Sequence, residues 1–132
     1  MQHENALTAA KKGTGLAVDF AGTWTNELGS TAHFKQDGSS LSGSYESAVS
    51  SGGTKTTGDL VGHVDGDLVA FTVHWREFQA ITSWVGQLVP KAAAGTQDAK
   101  AKMKTLWQMT KQVAEGDEWA SINAGSDLFT RA

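Results

Sequence analysis

Thr57-Gly-Asp-Leu-Val-Gly-His-Val-Asp-Gly-Asp-Leu-Val-Ala-Phe-Thr-Val-His-Trp75 decides the fold. Two short alternating segments, Thr57–Val64 and Leu68–Trp75, flank Asp65-Gly66. Alternation is the period of a strand with one buried face, and Asp-Gly between two such runs is a strong local signal for a β-hairpin. The pattern repeats upstream, where Ser30–Gln36 and Ser40–Ser47 flank Asp37-Gly38.

Further segments extend the series in both directions. Val18–Leu28 holds Phe20 and Trp24 at even spacing, and Ala80–Val89, Lys102–Lys111 and Trp119–Arg131 follow. Other turn signals stand at Leu28-Gly29, Gly52-Gly53 and Glu115-Gly116. Ala92–Lys104 has helical composition, but Gly95 and Thr96 interrupt it. Eight closely spaced antiparallel strands predict an all-β fold, an up-and-down barrel whose closure removes the exposed sheet edges. A β-sandwich is the structural rival. Residues 1–18 read as a loose leader and 19–132 as one domain.

Composition narrows the function. At 132 residues the chain suits one core without staples, and 39% hydrophobic with 19% charged residues is an ordinary globular balance. A net charge of −3 offers no nucleic-acid surface, and no apolar run approaches a membrane span. The lysines at 91, 100, 102 and 104 read as a solvated loop flank. Without cysteine, neither a disulfide frame nor a thiolate metal site can form. Met1 to Lys12 lacks the basic-then-apolar order of a secretion signal. Five tryptophans against one tyrosine and one proline are the anomaly, because tryptophan is costly to leave exposed.

Barrel connectivity suggests where they go. Loops of an up-and-down barrel alternate between its ends. The Asp-Gly turns and the insertion Pro90–Ala101 share one end, while Ser50–Thr57, Arg76–Gln79 and Gln112–Glu118 share the other. Trp75, Trp84 and Trp119 border that second mouth, with Trp107 in strand seven and Trp24 assigned to the closed-end core. An aromatic cage at one barrel end marks a ligand site. Catalytic patterns are missing. His3, His33, His63 and His74 have no metal-ligand spacing, Glu115, Asp117 and Glu118 read as a solvated cluster, and Gly13-Thr-Gly15 precedes no strand–helix unit. Ser42-Gly43-Ser44 lies inside a hairpin strand, which excludes a nucleophile elbow.

Six stretches in order and spacing resemble the avidin–streptavidin family. They are Gly22-Thr-Trp-Thr-Asn-Glu-Leu-Gly-Ser-Thr31, Gly43-Ser-Tyr-Glu-Ser-Ala-Val49, Phe71-Thr-Val-His-Trp75, Thr82-Ser-Trp-Val-Gly-Gln87, Lys104-Thr-Leu-Trp107 and Asp127-Leu-Phe-Thr-Arg131. The resemblance covers about residues 18–132 and implies a non-catalytic, high-affinity biotin binder. It implies that Asn26, Ser30 and Tyr45 donate to the ureido carbonyl oxygen, a set of donors converging on one charge-accumulating atom. Ser47 and Asp127 would accept from the ureido N–H groups, and Thr82 would approach the thioether sulfur. Trp75, Trp84 and Trp107 would wall the bicyclic ring, Val49 and Ser51 would belong to the ligand loop, and Trp119 would reach a neighbouring site in a homotetramer. Biotin is then a ligand and not a cofactor, with no metal, nucleic acid or membrane partner, and the compartment implied is secreted or periplasmic.

Each of these residues also has a bland reading. A single tryptophan is ordinarily core, and Asn26 and Ser30 are commonplace turn residues. Asp127 in a strand is harder to place, because a buried carboxylate without a partner is expensive. Phe78 and Ala80 stand where the family carries hydroxyls for the carboxylate tail, and Ser51 stands where one branch has asparagine. A lipocalin-like barrel for an apolar ligand is the alternative, and the polar set converging at one end argues against it.

Overall fold

The computed structural model describes residues 2–48, 55–90 and 100–132. Its strands are β1 (Gly22–Asn26), β2 (Thr31–Asp37), β3 (Ser40–Glu46), β4 (Thr57–Asp65), β5 (Leu68–Trp75), β6 (Ala80–Leu88), β7 (Lys102–Lys111) and β8 (Ile122–Arg131). Each pairs antiparallel with its neighbour in sequence, and β1 pairs with β8, closing an eight-stranded up-and-down barrel. The sandwich alternative is excluded by that last pairing.

The hairpins use the glycines as expected. Asp37 pairs with Ser40 and Asp65 with Leu68, so Gly38 and Gly66 are the first residues of two-residue turns. Their φ angles of +60° and +58° favour the residue without a Cβ. Inward residues alternate along each strand. On β5 these are Val69, Phe71, Val73 and Trp75, all buried, against exposed Leu68, Ala70 and His74. Phe34, Leu41, Leu60, Val64, Met103 and Phe129 join them from other strands. Eight strands enclose a space that side chains can fill or that can hold one small ligand.

Two boundaries differ from expectation. β1 begins at Gly22 and ends at Asn26, because Val18 to Ala21 cross the barrel end instead of pairing in the ladder. Val18 N–H donates to the Gly66 carbonyl, and Gln36 holds both the Phe20 N–H and the Val18 carbonyl through its amide. Phe20 and Trp24 are fully buried there, and the Trp24 indole donates to the Phe20 carbonyl. Arg131 lies 4.7 Å over the Trp24 ring. The tight-turn end is therefore plugged, which leaves the opposite end for a ligand. β8 begins at Ile122 instead of Trp119, which sits in a one-turn 3-10 helix, Glu118–Ala120. Ahead of the barrel, His3–Thr8 forms an exposed helix, α1.

Candidate functional site

At the end away from that plug, a cavity of about 350 Å³ opens between β3, β4, β5, β6 and β7. Trp75, Phe78, Ala80 and Met109 give it an apolar wall. Ser47, Thr56, Gln79, Lys111 and Gln112 supply its polar rim. Ser47 and Thr56 close the base of their loop, with Ser47 N–H donating to the Thr56 carbonyl at 2.8 Å and Thr56 N–H to Ser47 Oγ at 3.2 Å.

One step further along β3, Tyr45 leads from this rim into a buried polar network. Asn26 Nδ2 donates to the Tyr45 hydroxyl at 3.4 Å, while Asn26 Oδ1 accepts from the backbone N–H groups of Leu28 and Ser30. That turn chemistry orients the Asn26 amide with its NH₂ group inward. Ser30 Oγ accepts from Ala48 N–H at 2.7 Å, which fixes the entrance to the β3–β4 loop. Asn26, Ser30 and Tyr45 are all buried. Burial, followed by the negative charge of Asp127, pushes the Tyr45 phenol above its ordinary range. The hydroxyl therefore keeps its proton and stays able to donate.

Asp127 closes the set from β8. Its Oδ2 accepts from the Trp84 indole N–H at 2.9 Å, so the half-buried carboxylate has the partner its expense requires. Burial raises its pKa first, and Glu27 beside it raises it further, while the bonds from Trp84 and Asn26 oppose that rise. Desolvation pushes the Glu27 pKa up, but its backbone N–H bonds, including that of Leu128, and its bond with Asp127 together outweigh it and hold the group below its ordinary range.

The tryptophans divide by role. Trp75 joins the cavity to the network: its ring lines the cavity, its indole donates to Thr82 Oγ1 at 3.0 Å, and it meets Tyr45 edge-on at 5.5 Å. Trp84, expected as a wall of the ring pocket, packs among the core aromatics. It stacks on Tyr45 at 4.7 Å and on Phe71 at 5.0 Å, leaving it 4% exposed. Its contribution here is to hold Asp127. Trp107 is half-buried and lies on Gly125, where an added Cβ would stand 2.6 Å from its ring. Trp119 is 86% exposed and lines no part of the cavity. Val49 and Ser51 lie outside the described residues, as does most of Pro90–Ala101.

Four contributors escaped the sequence reading: Glu27, Met109, Lys111 and Gly125. Met109 and Lys111 follow Trp107 at two-residue steps, so strand period alone could have found them. Glu27 and Gly125 become visible only through the closure of β8 on β1 and β7. The histidines stay apart, since His63 opposes Ala70 and His74 opposes Asp59. Among the described residues, no group of three or more His, Cys, Asp or Glu side chains could hold a metal.

Comparison with known proteins places this geometry. The model of the avidin family matches residues 15–132. Avidin-related protein 1 of Gallus gallus is 31% identical over 95% of this chain and 87% of its own length. Avidin-related protein 2 of the same organism is 30% identical over 83% of this chain and 75% of its own length. Among solved structures, the crystal structure of Xenavidin superposes with a TM-score of 0.70 at 26% identity, covering 88% of this chain and 99% of that one.

Proposed function

Because the chain belongs to the avidin family, we propose that it binds biotin non-covalently in the open end of its barrel and does no chemistry on it. The observation that carries this reading is the connected set Asn26, Ser30, Tyr45 and Asp127, joined to an aromatic-walled cavity through the contact of Trp75 with Tyr45. A ureido group presents one carbonyl acceptor and two N–H donors. Asn26, Ser30 and Tyr45 are donors to the former; Ser47 and Asp127 are acceptors for the latter. Held in place beforehand by loop and indole hydrogen bonds, these groups need little ordering when the ligand arrives. Thr82 and Trp75 receive the ring sulfur and its hydrocarbon face, and Trp107 completes the wall. Val49 and Ser51 belong to the loop over the ligand.

An exposed tryptophan at the rim has a use in the same reading. Trp119 completes the site of a neighbouring copy, in a homotetramer that sequesters the vitamin outside the cytoplasm, in a secreted or periplasmic setting. No cofactor or metal enters this function.

Titration with biotin, followed by tryptophan emission and by calorimetry, tests the proposal. Saturable binding with an emission change is expected, because Trp75 lines the cavity. Flat traces in both measurements up to about millimolar ligand, the weak end of specific binding, would overturn it.

A further inference from the structure

Strand β7 sends Met103, Thr105, Trp107, Met109 and Lys111 to the barrel interior at two-residue steps. Lys111 is the last of that inward row, half-buried, and it lines the mouth cavity. Its partner across the ladder is Ala80, whose short side chain leaves the space beside the lysine open. Gln79 and Gln112 flank the same spot, tied to each other by a 2.9 Å backbone hydrogen bond. Among the described residues, the cavity thus has one ionic group on its wall, a cation set among amides.

Other cations near this mouth are not available to the cavity. Arg76 gives its guanidinium to Asp59, with Nε at 3.1 Å and the terminal nitrogen at 2.7 Å from one carboxylate oxygen, both residues exposed. Lys55 is exposed and lines no part of the cavity. The carboxylates of Glu77, Glu115, Asp117 and Glu118 are all exposed in the adjoining loops. Arg76–Asp59 is the one ion pair among the described residues, so Lys111 meets no carboxylate within ion-pair distance there.

We propose that Lys111 holds the carboxylate tail of the bound ligand and makes this protein select the free acid over neutral derivatives of it. The inference rests on the biotin reading above and extends it to the far end of the ligand. A lysine on a flexible four-carbon stem can follow a carboxylate as a point charge, without the fixed geometry that hydroxyls at positions 78 and 80 would impose. Its bond to the acid is charge-assisted, whereas an amide or ester offers only a neutral acceptor.

The test measures off-rates of biotin and of biotin amide from the parent protein, Lys111→Met and Lys111→Arg. A charge-assisted bond at a partly wet rim should make the parent release the amide about tenfold faster than the acid. Lys111→Met keeps the stem and should bring the two rates to within about twofold of each other. Lys111→Arg should keep the preference, and salt should narrow it in the parent, as expected for an ion pair open to solvent. A parent that releases acid and amide at equal rates overturns the proposal without any variant. So does a Lys111→Met protein that keeps the parent's ratio. If the parent binds neither compound, the biotin reading itself fails, and this proposal with it; binding of both at equal rates removes Lys111 alone.

Discussion

Acidification should loosen the ligand, and Asp127 is the group through which it acts. In the protein alone, burial and the neighbouring Glu27 charge raise the Asp127 pKa. A ureido N–H donating to this carboxylate favours the ionised form and pulls the pKa back down. Binding near the Asp127 pKa therefore expels a proton, and affinity falls as pH falls. A bond to a charged acceptor is worth about 1.5–3 kcal/mol and a neutral one about 0.5–1.5, so protonation should cost about 1 kcal/mol, or roughly fivefold in affinity. Stability of the ligand-free protein moves the other way for this group. A raised folded-state pKa contributes stability that is present below the unfolded value and lost as pH rises through the folded one. Glu27, with its pKa lowered, contributes the opposite slope. The assay is the biotin off-rate between about pH 7 and pH 4, spanning the carboxylate range, in the parent and in Asp127→Asn. The parent should release biotin faster in acid, and the variant should release it faster than the parent at neutral pH with a flatter profile. A parent off-rate indifferent to pH, or an Asp127→Asn protein that keeps the parent's full pH dependence, would refute the assignment.

Two further outcomes follow from the tryptophans. Trp119 is 86% exposed in a single copy, a large apolar surface that assembly would cover. Trp119→Lys should lower the assembled mass by light scattering and speed biotin release, and a parent that is monomeric at micromolar concentration while binding tightly would contradict the shared-site reading. Gly125→Ala would put a methyl 2.6 Å from the Trp107 ring, about 1 Å inside ordinary contact. Overpacking of that kind costs about 1–3 kcal/mol, seen as a lower Tm, and the displaced ring should speed biotin release. Unchanged unfolding and off-rate together would show that Trp107 shifts freely and is no fixed wall.

The legible part of this barrel was the part written locally. Leu68–Trp75 and Lys102–Lys111 emerged with the bounds that alternation predicts, because their inward and outward faces meet different surroundings along their whole length. Val18 and Phe20 continue that same alternation, yet they leave the ladder. Phe20 is buried and Val18 partly buried as the pattern demands, but Gln36 and Gly66 satisfy their backbone where a neighbouring strand would have done so. A period-two signal reports burial, and burial across the end of a barrel produces it as well as burial within the wall. The polar network divides on the same principle. Asn26 and Ser30 belong to one turn and can be read as a unit, whereas the bond from Trp84 to Asp127 joins residues 43 positions apart and exists only once β8 has closed. Trp84 shows the consequence. Its place in the chain marks a mouth residue, and the fold adds what the chain does not show: its ring stacks on Tyr45 from β3 and Phe71 from β5, and its N–H is aimed at a carboxylate. An aromatic near a rim can thus serve a ligand by fixing the acceptor that touches it, and only the tertiary contacts separate that role from a wall.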